Sequence, residues 1–413
     1  MKIGIIVRCL CSGGTERVTA QLSCVLSNLG HDVVLLTQCT SMEVDFNYQC
    51  IARECAADGK SWQPHEICAL QQKYGFDTCI FSGGWNDDFF NPAVQELKKR
   101  GVNVIAILHH VFNNWAFSMR NDSDFQKDDI LPLIDCLVCV DKMQTMWWSR
   151  WHPCVVCINN TISITTGQTS EGTDKLAMDE DGRIVWVGRP KDCGKRIEQA
   201  MVVFNRVVKR LESATLTVVG DIDENQKKVL IGMLDGKAQK RVSFTGYVPD
   251  ARPHFEAANV SLVTTQWEVT VPQVVLEAQV LGIPTVALDL PVLRNVPGVY
   301  CALSIDDVAQ KVVEILVGEC DSLRKPYLDV SQWNCKVVEK WDLLLRAITD
   351  KSIGALAKDW MCEWRTVENA ELVLDEIQRG ESFFVQKEFP RLKKLYLMKS
   401  RMNRILKFLG TGI

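Results

Sequence analysis

Two cations stand close together in the stretch IVWVGRPKDCGKRIEQAMVVFNRVV (184–208). Arg189 follows Gly188 at the carboxyl end of an apolar run, and Lys195 lies six residues on, at the expected start of a helix. A guanidinium fork, an ammonium and free helix N–H groups at one turn make a clamp for a diphosphate. Two solvated cations on a surface loop would read the same way. Two acids follow in VSFTGYVPDARPHFEAANVSLVTTQWEVTVPQVVLEAQVLGIPTVALDLP (242–291). Glu268 sits in a loop after a strand. Glu277 lies in a helix opened by Pro272 and is surrounded by Leu276, Val280 and Leu281. A carboxylate at the edge of a core suits the vicinal hydroxyls of a ribose, although an ordinary pair of helix-surface glutamates fits too. Near the start, GIIVRCLCSGGTERVTAQLSCVLSNLGHDVVLL (4–36) carries Gly13 and Gly14 between a strand and a helix. That layout cradles phosphate, yet neither G-x-G-x-x-G nor Gly-Lys-Ser is present. His109 and His110 follow the apolar run NVIAIL. They either cap that strand or face a ligand at its carboxyl end.

The elements that must hold these groups alternate along the chain. Strands are expected at 2–7, 32–36, 78–81, 103–108, 136–140 and 154–158, with helices at 15–29, 91–100 and 142–150. In the first helix Val18, Leu22, Val25, Leu26 and Leu29 share a face, and Gly30 ends it. Residues 163–182 are polar and aperiodic and read as a linker. The alternation restarts with strands at 183–187, 215–219, 241–244, 259–263 and 284–287 and helices near 195–211, 223–235, 250–257 and 272–281. Strands separated by helices mean parallel sheets covered on both faces. At 413 residues the chain exceeds one ordinary core. The reading is therefore α/β: two Rossmann-like domains, 1–162 and 183–330, facing each other across a cleft. Ligands in such sheets bind beyond the carboxyl ends of the strands.

Composition narrows the classes. Net charge is −4, which argues against a global nucleic-acid binder. There is no run of eighteen apolar residues and no signal peptide, so a cytoplasmic location is expected. Among 17 cysteines, Cys136-x-x-Cys139 and Cys154-x-x-Cys157 mimic a zinc ribbon. Both pairs lie in strand-like runs, where residues i and i+3 point to opposite faces, so the cysteines read as structural. The acidic pairs Asp179-x-Asp181 and Asp221-x-Asp223 fall in the linker and in a turn, and neither is placed for a metal.

Taken together, SGGTERVTAQLSCVLSNLGHDVVLLT, VGRPKDCGKRIEQAMVVF, the 242–287 segment and VSQWNCKVVEKWDLLL (330–345) resemble, in order, the motifs of the family-four retaining glycosyltransferases of the GT-B fold. The resemblance spans about residues 1–348. It implies transfer of a sugar from a nucleotide-diphosphate sugar, with UDP the nucleotide the family points to, to a glycan or lipid-linked acceptor in cell-surface polysaccharide assembly, with no metal or other cofactor. It places Gly13 and Gly14 beside the donor phosphates, and Gly188, Arg189 and Lys195 on the diphosphate. It puts Glu277 on the ribose, Glu268 on the sugar ring, and His109 or His110 near the transferred group. Asn160 falls in a structural segment, and residues 331–348 form a helix crossing back to the first domain. Two departures stand out. Eight residues separate Glu268 from Glu277, one more than the family pattern, and Val269 replaces a glycine. A sugar-nucleotide binder without catalysis is the rival reading; a dehydrogenase is disfavoured because G-x-G-x-x-G is missing.

Residues 349–413 lie beyond the resemblance. From 381 onward there are eight Lys or Arg against two Glu. Leu392, Leu395, Met398, Met402, Ile405 and Leu409 fall on one helical face. A basic amphipathic helix of this kind lies on an anionic membrane or packs on protein.

Overall fold

The computed structural model describes residues 1–10, 13–38, 48–59, 62–83, 89–109, 130–149, 151–162, 182–265, 268, 270–318 and 326–362. His110, Val269, the acidic pair at 179 and 181 and the basic tail from 381 lie outside them.

Apolar runs become strands buried on both faces, and every recorded strand pairing is parallel. The first sheet has seven strands: β1 (Lys2–Val7), β2 (Asp32–Thr37), β3 (Ala52–Cys55), β4 (Thr78–Ser82), β5 (Asn103–Leu108), β6 (Cys136–Cys139) and β7 (Val155–Cys157). Their order is β3-β2-β1-β4-β5-β6-β7. The second has six: β8 (Arg183–Val187), β9 (Thr215–Val219), β10 (Val242–Gly246), β11 (Val260–Val263), β12 (Thr285–Leu288) and β13 (Val299–Ala302), in the order β10-β9-β8-β11-β12-β13. The two orders are the same through six strands. Each reverses direction between its first and fourth strands, the crevice where such sheets receive ligands.

Helices α1 (Gly14–Asn28), α2 (Pro64–Tyr74), α3 (Phe90–Lys99) and α4 (Lys142–Trp148) serve the first sheet. Helices α5 (Ile197–Arg210), α6 (Glu224–Gly232), α7 (Gly236–Gln239), α8 (Arg252–Glu256), α9 (Gln273–Val280) and α10 (Ile305–Leu316) serve the second. In α1, Val18, Leu22 and Leu26 are buried as expected, with Val25 and Leu29 packed at the edge of the same cluster. Gly4 in β1 lets the Phe76 ring lie against the strand; a Cβ there would sit 3.2 Å from it.

The last helices, α11 (Val330–Thr349) and α12 (Ile353–Cys362), return to the first lobe. Val337, Trp341, Leu344, Leu345 and Ile348 of α11 and Trp360 of α12 complete a cluster with Ile3, Ile5, Val33 and Leu35. A strap at residues 158–162 joins the lobes. Trp333 Nε1 donates to Asn160 O at 2.8 Å, and the Asn334 side chain bonds both backbone groups of Ile162.

Cys136 and Cys139 face the two opposite clusters of the first sheet, as a strand requires. Burial pushes the Cys157 thiol up to about 12, and these cysteines behave as small apolar groups.

Candidate functional site

The carboxyl ends of β1, β5, β8 and β11 open into one cleft of about 400 Å³ between the lobes. Gly13, Gly14, His109, Gly188, Arg189, Lys195, Glu268 and Glu277 all line it. These are all the expected site residues that the structure describes; His110 lies outside the described residues.

The second lobe's wall starts at two adjoining turns. β8 ends in Val187-Gly188 and β9 in Val219-Gly220. Gly188 N donates to Val219 O, and Gly220 N to Gly246 O, each at 3.0 Å. Gly220 has φ +152°, and a Cβ there would lie 1.9 Å from Gly188 O. The approach of these two turns admits only glycine. Arg189 leaves this point exposed, and its guanidinium has no partner among the described residues. Its neighbour Lys191 is already paired with Asp221 at 3.1 Å. Asp223, the other member of that acidic pair, caps α6 by accepting from Gln226 N.

Lys195 stands differently from expectation. It closes a one-turn 3-10 helix, Cys193–Lys195, and Arg196 then takes a left-handed conformation (φ 50°) before α5 begins at Ile197. The free N–H groups of α5 therefore start two residues later than the sequence suggested. Its ammonium forms an ion pair with Glu268. The loop is held by two buried threonines after β11. Thr264 Oγ1 accepts from Trp186 Nε1 at 3.1 Å and donates to Lys195 O at 3.0 Å. Thr265 Oγ1 lies 3.2 Å from Gly194 O and 2.8 Å from Glu268 Oε1. The sequence reading passed over both threonines, although their place directly after an apolar strand was a usable signal.

On the first lobe, Gly13 is the N-cap of α1 and supplies no side-chain cap, so the helix start presents backbone N–H groups at the cleft. His109 Nε2 lies 3.0 Å from Ser82 Oγ, which lies 2.5 Å from Thr19 Oγ1, which donates to Thr15 O at 2.8 Å. Each hydroxyl has one proton. Thr19 spends its proton on Thr15, so Ser82 donates to Thr19, and His109 Nε2 must carry a hydrogen. The histidine is thus fixed in orientation at the cleft wall.

Glu277 is 2% exposed. Its Oε1 accepts from Arg17 Nη1, across the lobes, at 3.0 Å. Burial raises its carboxyl to about 7; Arg17 acts in the opposite sense, and Asp250 adds to the rise. Arg17 was absent from the sequence reading.

Residues 181–317 match the family model described as Glycosyl transferases group 1. An uncharacterized glycosyltransferase of Haemophilus influenzae is 23% identical over 301 residues, covering 70% of this chain and 80% of the relative. Among solved structures, Anabaena HepE in complex with UDP and glucose superposes with a TM-score of 0.62 at 14% identity, covering 83% of this chain and all of HepE. The pneumococcal O-GlcNAc transferase GtfA, in complex with UDP and GlcNAc, gives 0.62 at 12% identity, covering 84% and 99%. The fold is GT-B, and the span similar to the group 1 glycosyltransferases covers its second lobe.

Proposed function

We propose that the cleft binds a nucleotide-diphosphate sugar and that the protein transfers the sugar, with retention of configuration, to a glycan or lipid-linked acceptor. The observation that carries this reading is Arg189: a cation with no partner among the described residues, set at the junction of two glycine turns and lining the same cleft as the α1 N-terminus. HepE and GtfA, which share the fold, were each solved with UDP and a sugar. UDP is accordingly the first nucleotide to try.

As the glycosidic bond breaks, negative charge gathers on the diphosphate and positive charge on the sugar. Arg189 and Lys195 bear the first without need of a metal, and they are in place before reaction. Lys195 is shared with Glu268, so donor phosphate competes with that carboxylate for the ammonium. Freed from the pair, Glu268 turns to the hydroxyls of the sugar ring. Glu277 holds the ribose. His109, fixed through Ser82, lies by the transferred group. The leaving phosphate accepts the proton of the incoming hydroxyl.

Loss of one preorganised charge contact costs about 3–4 kcal/mol of barrier. Arg189→Ala is expected to weaken UDP far more than uridine in titration calorimetry; equal losses would count against the clamp. A sugar-nucleotide binder without catalysis is favoured by one feature, the extra residue between Glu268 and Glu277. Release of free UDP from UDP-sugars, with and without EDTA, separates the two readings and tests the metal independence.

A further inference from the structure

Glu277 belongs to the second lobe, but its charge partner does not. Arg17 and Gln21 are one turn apart on α1, and Gln273 and Glu277 are one turn apart on α9. Arg17 meets Glu277 directly. Gln21 and Gln273 meet through Thr161 of the strap: Thr161 Oγ1 donates to Gln21 Oε1 at 2.8 Å, and Gln273 Nε2 donates to Thr161 O at 3.3 Å. The two helix faces are therefore registered against each other at two points, and Arg17 is delivered to one carboxylate oxygen. The other oxygen, Oε2, has no partner among the described residues and is not sealed from solvent, while Glu277 lines the cleft. One carboxylate oxygen is thus held by the first lobe, and the other is unpaired among the described residues at the cleft wall.

We propose that Arg17 is a positioning residue for the donor: from the first lobe it holds the Glu277 carboxylate ionised and oriented so that Oε2 accepts the ribose hydroxyls. This rests on the nucleotide-sugar reading above and adds to it a dependence of ribose recognition on both lobes. A buried carboxylate left alone takes up a proton, and a neutral carboxyl accepts hydrogen bonds less strongly. The charged and titratable groups around the pair are Arg17 on α1, Asp250 ahead of α8, which disfavours the ionised form, and Tyr247, which senses Arg17. Among these, Arg17 alone favours the carboxylate.

The test is binding of a nucleoside diphosphate and its 2′-deoxy counterpart from pH 5.5 to 8.5, using whichever of UDP, GDP and ADP binds the wild type best. The ratio of the two dissociation constants isolates the ribose contact, because titration of the phosphates cancels. Hydrogen bonds to a charged group predict a wild-type ratio of about 10–100 at pH 8, falling as pH drops through the Glu277 range. Arg17→Ala should bring the ratio at pH 7 down about three- to fivefold, as one pH unit of displacement to the alkaline side requires. Arg17→Lys should restore most of it, and Glu277→Gln should give a low, pH-independent ratio. Arg17→Gln carries the test should Arg17→Ala fail to fold. A structural tie alone would weaken both ligands equally and leave the pH profile in place, and that result overturns the proposal. So does a wild-type ratio near one. A wild type that binds none of the three nucleotides overturns the nucleotide-sugar reading, and this inference with it.

Discussion

Glu277 shows what a single residue costs and what it is kept for. Its carboxyl is raised above the ordinary range to about 7, chiefly by burial. A raised acid stabilises the native state fully below its unfolded pKa, and that stability is lost as pH climbs through the folded value. The window here runs from about 4.5 to about 7. Over it the group should withdraw roughly 3 kcal/mol, with little further change at higher pH. Glu277→Gln removes the titration. Urea melts at pH 5 and pH 8 should show the variant gaining on the wild type by about that amount; parallel behaviour at both pH values would contradict the burial argument. The proposed ribose contact would account for a carboxylate kept at such a cost. The sequence pointed to Glu277 because apolar residues crowd it. It did not point to Arg17, which lies 260 positions away. No local pattern links the two, and only the meeting of the lobes brings them into contact.

At the scale of elements, the turns decide where the cations stand. Gly220→Ala would drive a methyl into the backbone oxygen of Gly188, where no side chain can yield. We expect a loss of about 3 kcal/mol of stability, read as a lower urea midpoint. Gly14 is the contrast: nothing lies within 4 Å of a Cβ there, and alanine favours the helix it begins. Gly14→Ala should keep the melting temperature while weakening UDP, because the methyl enters the cleft. Unaltered UDP affinity would take α1 out of the donor wall. The strands themselves were legible, since parallel strands buried on both faces read as continuous apolar runs. β1, β5, β8 and β9 begin and end where the sequence placed them. The misses included β3 and β13, edge strands of partly exposed residues such as Arg53 and Tyr300, α2, with only Ile67 and Cys68 buried, and α10, whose buried stripe of Val308, Val312 and Ile315 the sequence reading passed over. An edge strand needs apolar contact on fewer sides, so its composition says less. Lys195 was mislaid by two residues relative to its helix because Arg196 adopts a conformation ordinarily left to glycine.

For the whole molecule, two lobes of matching strand order enclose a cleft wide enough for a nucleotide sugar. No described helix is long and apolar enough to cross a membrane. An acceptor carried on lipid would require docking at a surface instead, and the basic stretch at 381–413 has the composition for it. Each cation near an anionic surface contributes about 1 kcal/mol. Deleting 381–413 is expected to abolish cosedimentation with phosphatidylserine vesicles while leaving UDP binding as in the full chain. Undiminished pelleting would assign that stretch to contacts with protein.

The return of α11 and α12 to the first sheet sets an order of assembly. The strands made earliest, with Ile3, Ile5, Val33 and Leu35, have Leu22 and Leu26 of α1 over them but lack the rest of their cover until Trp341, Leu345 and Trp360 have left the ribosome. The second lobe, encoded between these parts, can close its own core sooner. During most of synthesis the nascent chain therefore carries an apolar sheet face covered only in part, and the half translated first is the half whose core is completed last.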